Sequence, residues 1–91
     1  HNYLIFIGKK VNNLANIYIA TRMLDSAINE YLKIFEIYPD FADAHHNLGV
    51  AYAMKGDIQK AIEQWELTLK IMPNHKGAAE NLNRAKKMLV K

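Results

Sequence analysis

Apolar residues recur at helical spacing in two adjacent stretches in the middle of the chain, one before Gly56-Asp57 and one after it. Gly56 is free to adopt the left-handed conformation that ends a helix, and Asp57 can cap the helix that follows. Pro39 and Pro73 lie on either side of the block and stop helices there. The pattern therefore predicts two antiparallel helices joined by a tight turn. The first stripe comprises Ala44, Leu48, Ala51 and Tyr52, and the second comprises Ile58, Ala61, Ile62, Trp65, Leu69 and Met72.

The same pattern occurs more than once. Pro39 and Pro73 are 34 residues apart, and apolar, aromatic and amide residues repeat at that interval. Self-similarity at a fixed period of this length is typical of helical repeat proteins. Among the residues related by this offset are Leu14 and Leu48, Tyr18 and Tyr52, Ala27 and Ala61, Ile28 and Ile62, Tyr31 and Trp65, Ile37 and Ile71, and the triplets Asn13, Asn47, Asn81 and Leu14, Leu48, Leu82.

Residues 42–75 resemble the tetratricopeptide repeat (TPR), a helix–turn–helix unit with this period. The first copy departs from the family pattern, because Ala15 replaces the glycine and Arg22-Met23 stands where the second copy has its turn. The residues that carry the resemblance are Leu48-Gly49, Tyr52, Gly56-Asp57, Ala61, Trp65 and Pro73, which match the family's leucine-glycine pair, tyrosine, turn, small alanine, aromatic residue and terminal proline.

The resemblance implies an all-α fold, a right-handed α-solenoid of two TPR hairpins followed by a C-terminal capping helix, with five helices in total. We expect one TPR domain over residues 1–91, made of an apolar N-terminal extension (1–7), repeat 1 (8–41), repeat 2 (42–75) and the capping helix (76–91). The helices are predicted at residues 9–21, 25–38, 41–55, 58–72 and 76–90, with an apolar stripe of Ala78, Leu82, Ala85 and Leu89 on the last one.

Individual residues lead to further expectations about this fold. Lys86 occupies the position held by Tyr18 and Tyr52, and those tyrosines should pack against a following helix. A lysine there predicts that the solenoid ends with the fifth helix, whose outer face is polar. Tyr52 and Trp65 should both be buried, and the second helix, which lacks a glycine turn before it, should be capped by Asp25 or a neighbouring residue.

The N-terminal residues 3–7 form an apolar run of five. Such a run is far too short to span a membrane, so no membrane insertion is expected. Two interpretations remain open for it, an extension of the first helix or the cut end of a preceding helix, which would leave an exposed apolar patch. Because the chain begins at His1 without a methionine, we interpret it as a fragment of a larger protein.

Charge and cysteine content narrow the function classes. The net charge of +3 resides at the C-terminus, where residues 76–91 hold five basic residues against Glu80. This basic segment lacks interleaved aromatic residues, so nucleic-acid binding is not expected. The absence of cysteine rules out disulfides and thiolate metal sites and favours a reducing compartment, for which we take the cytoplasm.

Catalytic and metal-binding patterns are weak. The sequence contains no phosphate-binding glycine loop, no cysteine nucleophile and no serine beside a histidine at a motif spacing. His45 and His46 point about 100° apart on a helix and so do not form a ligand pair, while Asp43 and His46 alone supply only two ligands. We therefore expect no enzyme activity, metal or cofactor, and we expect His45 to pack in the interior with a ring nitrogen on a backbone group.

The asparagines point to a binding surface. Asparagine is a mediocre helix former, so three of them in register call for an explanation beyond propensity. In the family, the first helix of each hairpin lines a concave groove, where asparagines bind the backbone of an extended peptide through an amide that both donates and accepts. The alternative is that these asparagines bond across adjacent hairpins and fix the stacking. The predicted groove residues are Asn12, Asn13, Asn16, Ile19, His46, Asn47, Val50, Met54, Asn81 and Arg84, with Lys9, Ala20, Ala53, Gly77 and Met88 also facing it by resemblance.

The function expected from the resemblance is a non-catalytic module that binds a protein or peptide partner in this groove. Family members that grip a C-terminal carboxylate use two asparagines, matched by Asn16 and Asn47, and three basic residues, replaced here by Asn12, Gly77 and Asn81. We therefore expect little dependence on a free C-terminus of the peptide. The alternative function is a scaffold that forms a homodimer through its apolar N-terminal segment or its solenoid ends.

Overall fold

Five α-helices make up the protein in the computed structural model, which describes residues 2–89. These residues contain no β-strand, as predicted. Consecutive helices pack against each other, with α1 on α2 and α3 on α4 as the two hairpins, α2 on α3 between the hairpins, and α5 on α4 at the end. The predicted all-α architecture of two hairpins and a last helix is confirmed. The helices are α1 (Asn2–Ala20), α2 (Leu24–Ile37), α3 (Ala42–Met54), α4 (Ile58–Ile71) and α5 (Lys76–Leu89).

Helix α1 is longer than the 9–21 expected from the repeat pattern. It begins at Asn2, so residues 3–7 extend the first helix without a break. Its outward face is apolar, because Tyr3, Phe6, Leu14 and Ile17 are all at least 40% exposed. Residues 3–7 therefore continue the first helix, as the first of the two interpretations predicts. The exposed apolar patch expected from the second interpretation, the cut end of a preceding helix, is present as well.

The turn of the second hairpin follows from its two residues. Gly56 has φ +89°, a conformation that glycine adopts without strain. The Asp57 amide then donates to the Tyr52 carbonyl at 2.9 Å, and the Asp57 side chain accepts from the Lys60 amide at 3.2 Å. This is the predicted pairing of a helix stop with an N-cap.

The turn of the first hairpin has the same geometry, although its residues are less suited to a positive φ and to capping a helix. Arg22 takes the left-handed conformation at φ +65°, and the Met23 amide donates to the Tyr18 carbonyl at 2.8 Å, as its counterpart does in the second turn. Met23 is the N-cap and makes no side-chain hydrogen bond, so of the two predicted alternatives, Asp25 or a neighbouring residue, Asp25 is wrong. Asp25 lies in the first turn of α2 and forms an ion pair with Lys55 across the hairpins.

The interior consists of two apolar clusters, one formed by α1, α2 and α3 and one formed mainly by α4 and α5. Trp65 is 4% exposed at the centre of the second cluster, as predicted. Tyr52 contacts both clusters and so joins them, but it is only half-buried, which corrects the expectation of a buried ring. The Lys60 ammonium lies over the face of that ring, 5.5 Å from the ring centroid.

Predicted stripes fail where a helix has no neighbour on one side. Ala78 and Ala85 are buried on α5, whereas Leu89 is 54% exposed, contrary to its assignment to the buried face. Met72, which belongs to a predicted stripe, is 42% exposed, and Leu14, one period before the stripe residue Leu48, is 40% exposed. Lys86, in the position of the two tyrosines, extends to Glu66 on α4 at 3.8 Å.

The longest helix, α1, still lacks the length of apolar sequence that crossing a bilayer requires, and the same holds for every other helix within residues 2–89.

Candidate functional site

A cleft between α3 and α5 is the best candidate for a binding site. It encloses a pocket of about 250 Å³ whose floor is the buried indole of Trp65. The pocket walls are apolar apart from Asn81 and Arg84, which both lie on α5. Six residues expected to face the groove meet here, namely Val50, Ala53, Met54, Asn81, Arg84 and Met88, together with Ile58, Trp65 and Ala85.

The amides at the predicted groove positions hydrogen-bond across the hairpins. Asn47 Nδ2 on α3 donates to Asn12 Oδ1 on α1 at 3.3 Å. One repeat further on, Asn81 Nδ2 on α5 donates to His46 Nε2 on α3 at 3.0 Å. The two contacts join equivalent positions of successive copies, because residues 12 and 46, and 47 and 81, are each one period apart. These bonds favour the second interpretation of the asparagines, in which they fix the stacking.

The remaining predicted groove residues lie elsewhere. Asn16 accepts a hydrogen bond from the Tyr31 hydroxyl at 2.5 Å, and burial raises the pKa of that hydroxyl well above its ordinary value, so it stays protonated. Asn13 is exposed on α1, and Ile19 is half-buried against the first apolar cluster. The structure therefore does not bring these three together with the α3–α5 pocket.

Two histidines form the junction between α3 and the start of α5. The His46 and His75 rings are 4.8 Å apart between centroids. His75 Nδ1 accepts from the Ala78 amide at 3.1 Å and caps α5, so the proton is on Nε2, which donates to Asp43 Oδ1 at 3.0 Å. Asp43, which the sequence paired with His46, thus bonds to His75. The arrangement joins both helices through neutral imidazoles.

His46 itself is sensitive to pH at this junction. Its pKa is lowered, first by burial and then by the nearby His75, while a hydrogen bond with Asn47 and the Asp43 charge act in the opposite direction. A histidine whose folded-state pKa is depressed binds fewer protons folded than unfolded in the window below about pH 6.5. The contribution of His46 to stability is therefore complete above that pH and falls as the solution is acidified through it.

We expect the melting temperature to fall between pH 7.5 and pH 5.5 by more in the wild-type protein than in a His46→Asn variant. Asparagine is the residue at the equivalent position 12, where it bonds to Asn47, so the substitution keeps a partner for Asn81 without a titrating ring. Thermal unfolding followed by circular dichroism at both pH values measures the difference. Equal pH dependence of the two proteins would show that His46 does not couple protonation to folding.

His45 is an interior residue, as predicted. It is 6% exposed, stacks on Phe35 with ring centroids 3.8 Å apart, and has Nε2 within 2.7 Å of the Pro39 carbonyl. Its Nδ1 lies 2.9 Å from Gln64 Oε1 on α4. His45 thus ties the loop before α3 to α4 and takes no part in the cleft. Within residues 2–89 no three histidine or acidic side chains are placed to hold a metal ion together.

Ile58, Trp65 and Ala85 line the pocket although the sequence pattern assigned them to interior stripes. Each has one side in the apolar core and another towards the cleft, and hydropathy does not distinguish these two roles. They are recognised as pocket residues only because none of the five described helices covers the cleft. The spacing of apolar residues in the sequence does not show which faces stay uncovered.

The sequence matches two models of protein families. One, described as tetratricopeptide repeat, matches residues 42–75, and one, described as TPR repeat, matches residues 15–56. The first range coincides with the repeat 2 expected from the period. Tetratricopeptide repeat protein 14 of Mus musculus is 43% identical over 56 residues, which are 62% of this chain and 7% of that protein.

Solved structures share the architecture. The TPR domain of Sgt2 from Aspergillus fumigatus superposes with a TM-score of 0.85 at 26% identity, covering 90% of this chain and 54% of that one. The first TPR of Spaghetti (RPAP3), bound to the HSP90 peptide SRMEEVD, has a TM-score of 0.87 at 18% identity, covering 92% of this chain and 67% of that one. At 18% the likeness concerns the fold alone. The chain thus spans about half of the Sgt2 chain and a small part of the mouse protein.

Proposed function

Because this chain belongs to the tetratricopeptide-repeat family, a family of protein-interaction modules, we propose that it binds a peptide segment of a partner protein in the cleft between α3 and α5. The observation that supports this best is the open apolar pocket, because no helix within residues 2–89 covers its floor of Trp65 and its walls of aliphatic side chains. Apolar pockets with a few convergent polar groups are the usual form of a recognition site.

The hydrogen-bonding capacity left in the cleft suits an extended backbone. Asn81 uses one N–H on His46, and an asparagine has a second N–H and a carbonyl oxygen. These groups can pair with a peptide C=O and N–H, respectively, in the manner of main-chain recognition. Two hairpins and one further helix form a small surface, so the expected dissociation constant is about micromolar.

We expect random 12-residue peptides, amidated at the C-terminus, to include binders whose affinity falls at least tenfold in a Met54→Glu variant. Met54 lines the pocket, so a carboxylate there places a charge in an apolar cleft. Met72→Glu is the matched control, because Met72 is exposed at the end of α4 and does not line the pocket. Fluorescence anisotropy of labelled peptides measures both affinities.

The same titration separates the outcomes. Equal binding of amidated and free-acid peptides is expected, since the three basic positions of a carboxylate clamp hold Asn12, Gly77 and Asn81. Equal loss in the Met54 and Met72 variants would place the peptide elsewhere on the molecule. Absence of any binder from the library would refute the proposal.

A second candidate function is self-association through α1. Leu14 is 40% exposed while Leu48, its counterpart one period later, is 1% exposed beneath the first hairpin. Ile17 is likewise 58% exposed where Ala51 is fully buried. This apolar face also carries Tyr3 and Phe6, and exposed apolar patches are typical of interaction sites. Light scattering of the peptide-free protein, repeated with Phe6→Asp, measures whether dimers form through it.

A further inference from the structure

We propose that the α3–α5 pocket accepts one leucine- or methionine-sized side chain of an acidic partner peptide, and that Arg84 pairs with a carboxylate next to that anchor. This inference rests on the proposed function and specifies its ligand. It combines the size of the pocket, the chemistry of its walls and the charge at its rim.

The size of the pocket favours a single side chain. Its volume of about 250 Å³ lies below the roughly 300–1,000 Å³ that is typical of sites for whole small molecules. Val50 and Met54 of α3 face Ala85 and Met88 of α5 across the cleft. The two methionines have flexible, polarisable side chains and can adjust to leucine or methionine without a fixed shape.

The chemistry of the walls follows from how the two repeats differ. In repeat 1, Asn16 accepts the Tyr31 hydroxyl and places a polar pair on the inner side of α1. In repeat 2, Val50 stands at the position of Asn16, and the indole N–H of Trp65 donates instead to the His46 carbonyl at 3.1 Å. The indole nitrogen of Trp65 thus has its hydrogen-bond partner within the hairpin, and the floor and this wall of the pocket are apolar.

The charge at the rim is positive and available. Arg84 lines the pocket and forms no ion pair within residues 2–89, whereas Lys86 on the other side of α5 is paired with Glu66. Lys87 is exposed next to this site, and the segment 76–91 carries five basic residues against one acidic residue. A guanidinium with its planar set of donors suits a carboxylate, so the complementary peptide is acidic beside its apolar anchor.

Acetylated and amidated decapeptides with a glycine-serine background are the probes. Their central residue is leucine, methionine, alanine or lysine, and it is flanked on both sides either by aspartates or by lysines. With aspartate flanks, we expect leucine and methionine to bind at least tenfold more tightly than alanine, since burial of a large aliphatic side chain exceeds the free energy that corresponds to one decade of affinity. Isothermal titration calorimetry provides the affinities.

Two variants test the pocket and the rim separately. Ala53→Leu fills the pocket and should abolish the preference for leucine over alanine. Arg84→Glu should reverse the preference for aspartate flanks over lysine flanks. Lys76→Glu makes the same change of charge at an exposed position outside the pocket, so it should weaken aspartate-flanked peptides slightly and leave their preference in place.

The outcomes distinguish the inference from the proposed function. If library peptides bind through the cleft but leucine and alanine centres are equivalent, or Arg84→Glu fails to reverse the flank preference, the inference is refuted and peptide binding stands. If a Met88→Glu variant converts a dimer to a monomer in light scattering, the pocket holds a second copy, which also overturns the inference. If no peptide of either set binds, the proposed function fails together with it.

Discussion

Replacing Trp65 with alanine should lower the free energy of unfolding by about 3–5 kcal/mol, the cost of removing a large aromatic residue from a core. The indole is 4% exposed, forms the centre of the second apolar cluster and donates a hydrogen bond to the His46 carbonyl. A domain of this length has a total stability of about 5–15 kcal/mol. The loss is therefore a large fraction of the total stability, and the urea concentration at the midpoint of unfolding should fall well below that of the wild type.

Urea denaturation followed by circular dichroism measures this loss, since the variant has no tryptophan fluorescence. Tyr3→Ala is the control for removal of an aromatic ring, because Tyr3 is 69% exposed and should contribute less than about 0.5 kcal/mol. The loss of stability in Tyr52→Ala should lie between those of Trp65→Ala and Tyr3→Ala, because the Tyr52 ring is half-buried. A Trp65→Ala protein with nearly wild-type stability would contradict the packing described for the second hairpin.

The overall fold could be predicted because it depends on local patterns that repeat. Each hairpin needs two apolar stripes and a break between them, and the 34-residue offset aligned the two copies. The start of α1 was left open between two interpretations, since the residues before Gly8 have no counterpart helix in the second copy. The cap of α2 was also missed, because Arg22 replaces glycine in the left-handed position and the turn is then held by a backbone bond from Met23.

The exposure of individual residues was harder to predict, and the reason is physical. Hydropathy shows that Leu14 and Leu89 belong to an apolar face, but burial depends on whether another helix covers that face. Leu48 is covered by the first hairpin and is 1% exposed, whereas Leu14 and Leu89 are 40% and 54% exposed.

The sequence predicted which residues share the surface of the candidate site, but not which hydrogen bonds their side chains form. The family resemblance placed Val50, Met54 and Arg84 on one surface, and they do line one pocket. The hydrogen-bond partners of the asparagines depend on the distances between helices. The repeat period of the sequence contains no information about those distances. Asn47 bonds to Asn12 and Asn81 bonds to His46, so these amides serve the stacking first.

Replacing Gly49 with alanine should destabilise the protein by about 2 kcal/mol, although alanine is the better helix former by about 1 kcal/mol. A Cβ at position 49 would lie 2.5 Å from Trp65 Nε1 and within 2.9 Å of two further ring atoms. The indole is rigid and buried, so α3 and α4 must separate to accept the methyl group. Such overpacking costs about 1–3 kcal/mol, and a contact this short belongs at the upper end of that range.

Gly8→Ala is the control, because a Cβ there would meet Phe41 and Tyr38 at 3.8 Å, an ordinary contact. That variant should be stabilised by up to about 1 kcal/mol through the gain in helix propensity. Opposite signs at the two glycines, measured by urea denaturation, would show that the distance to the indole decides the effect. If Gly49→Ala were also stabilising, α3 and α4 would have to lie further apart than the structure places them.

The first repeat indicates how the cost at Gly49 can be removed. One period earlier, Ala15 stands at the glycine position, fully buried in the same cluster as Tyr31, which replaces the tryptophan. The smaller ring leaves room for the methyl group, so the two positions compensate each other. In a Trp65→Tyr background, Gly49→Ala should therefore cost less by at least about 1 kcal/mol than it does in the wild type, which a double-mutant cycle measures directly. Additive effects of the two substitutions would refute this coupling between the helices of the hairpin.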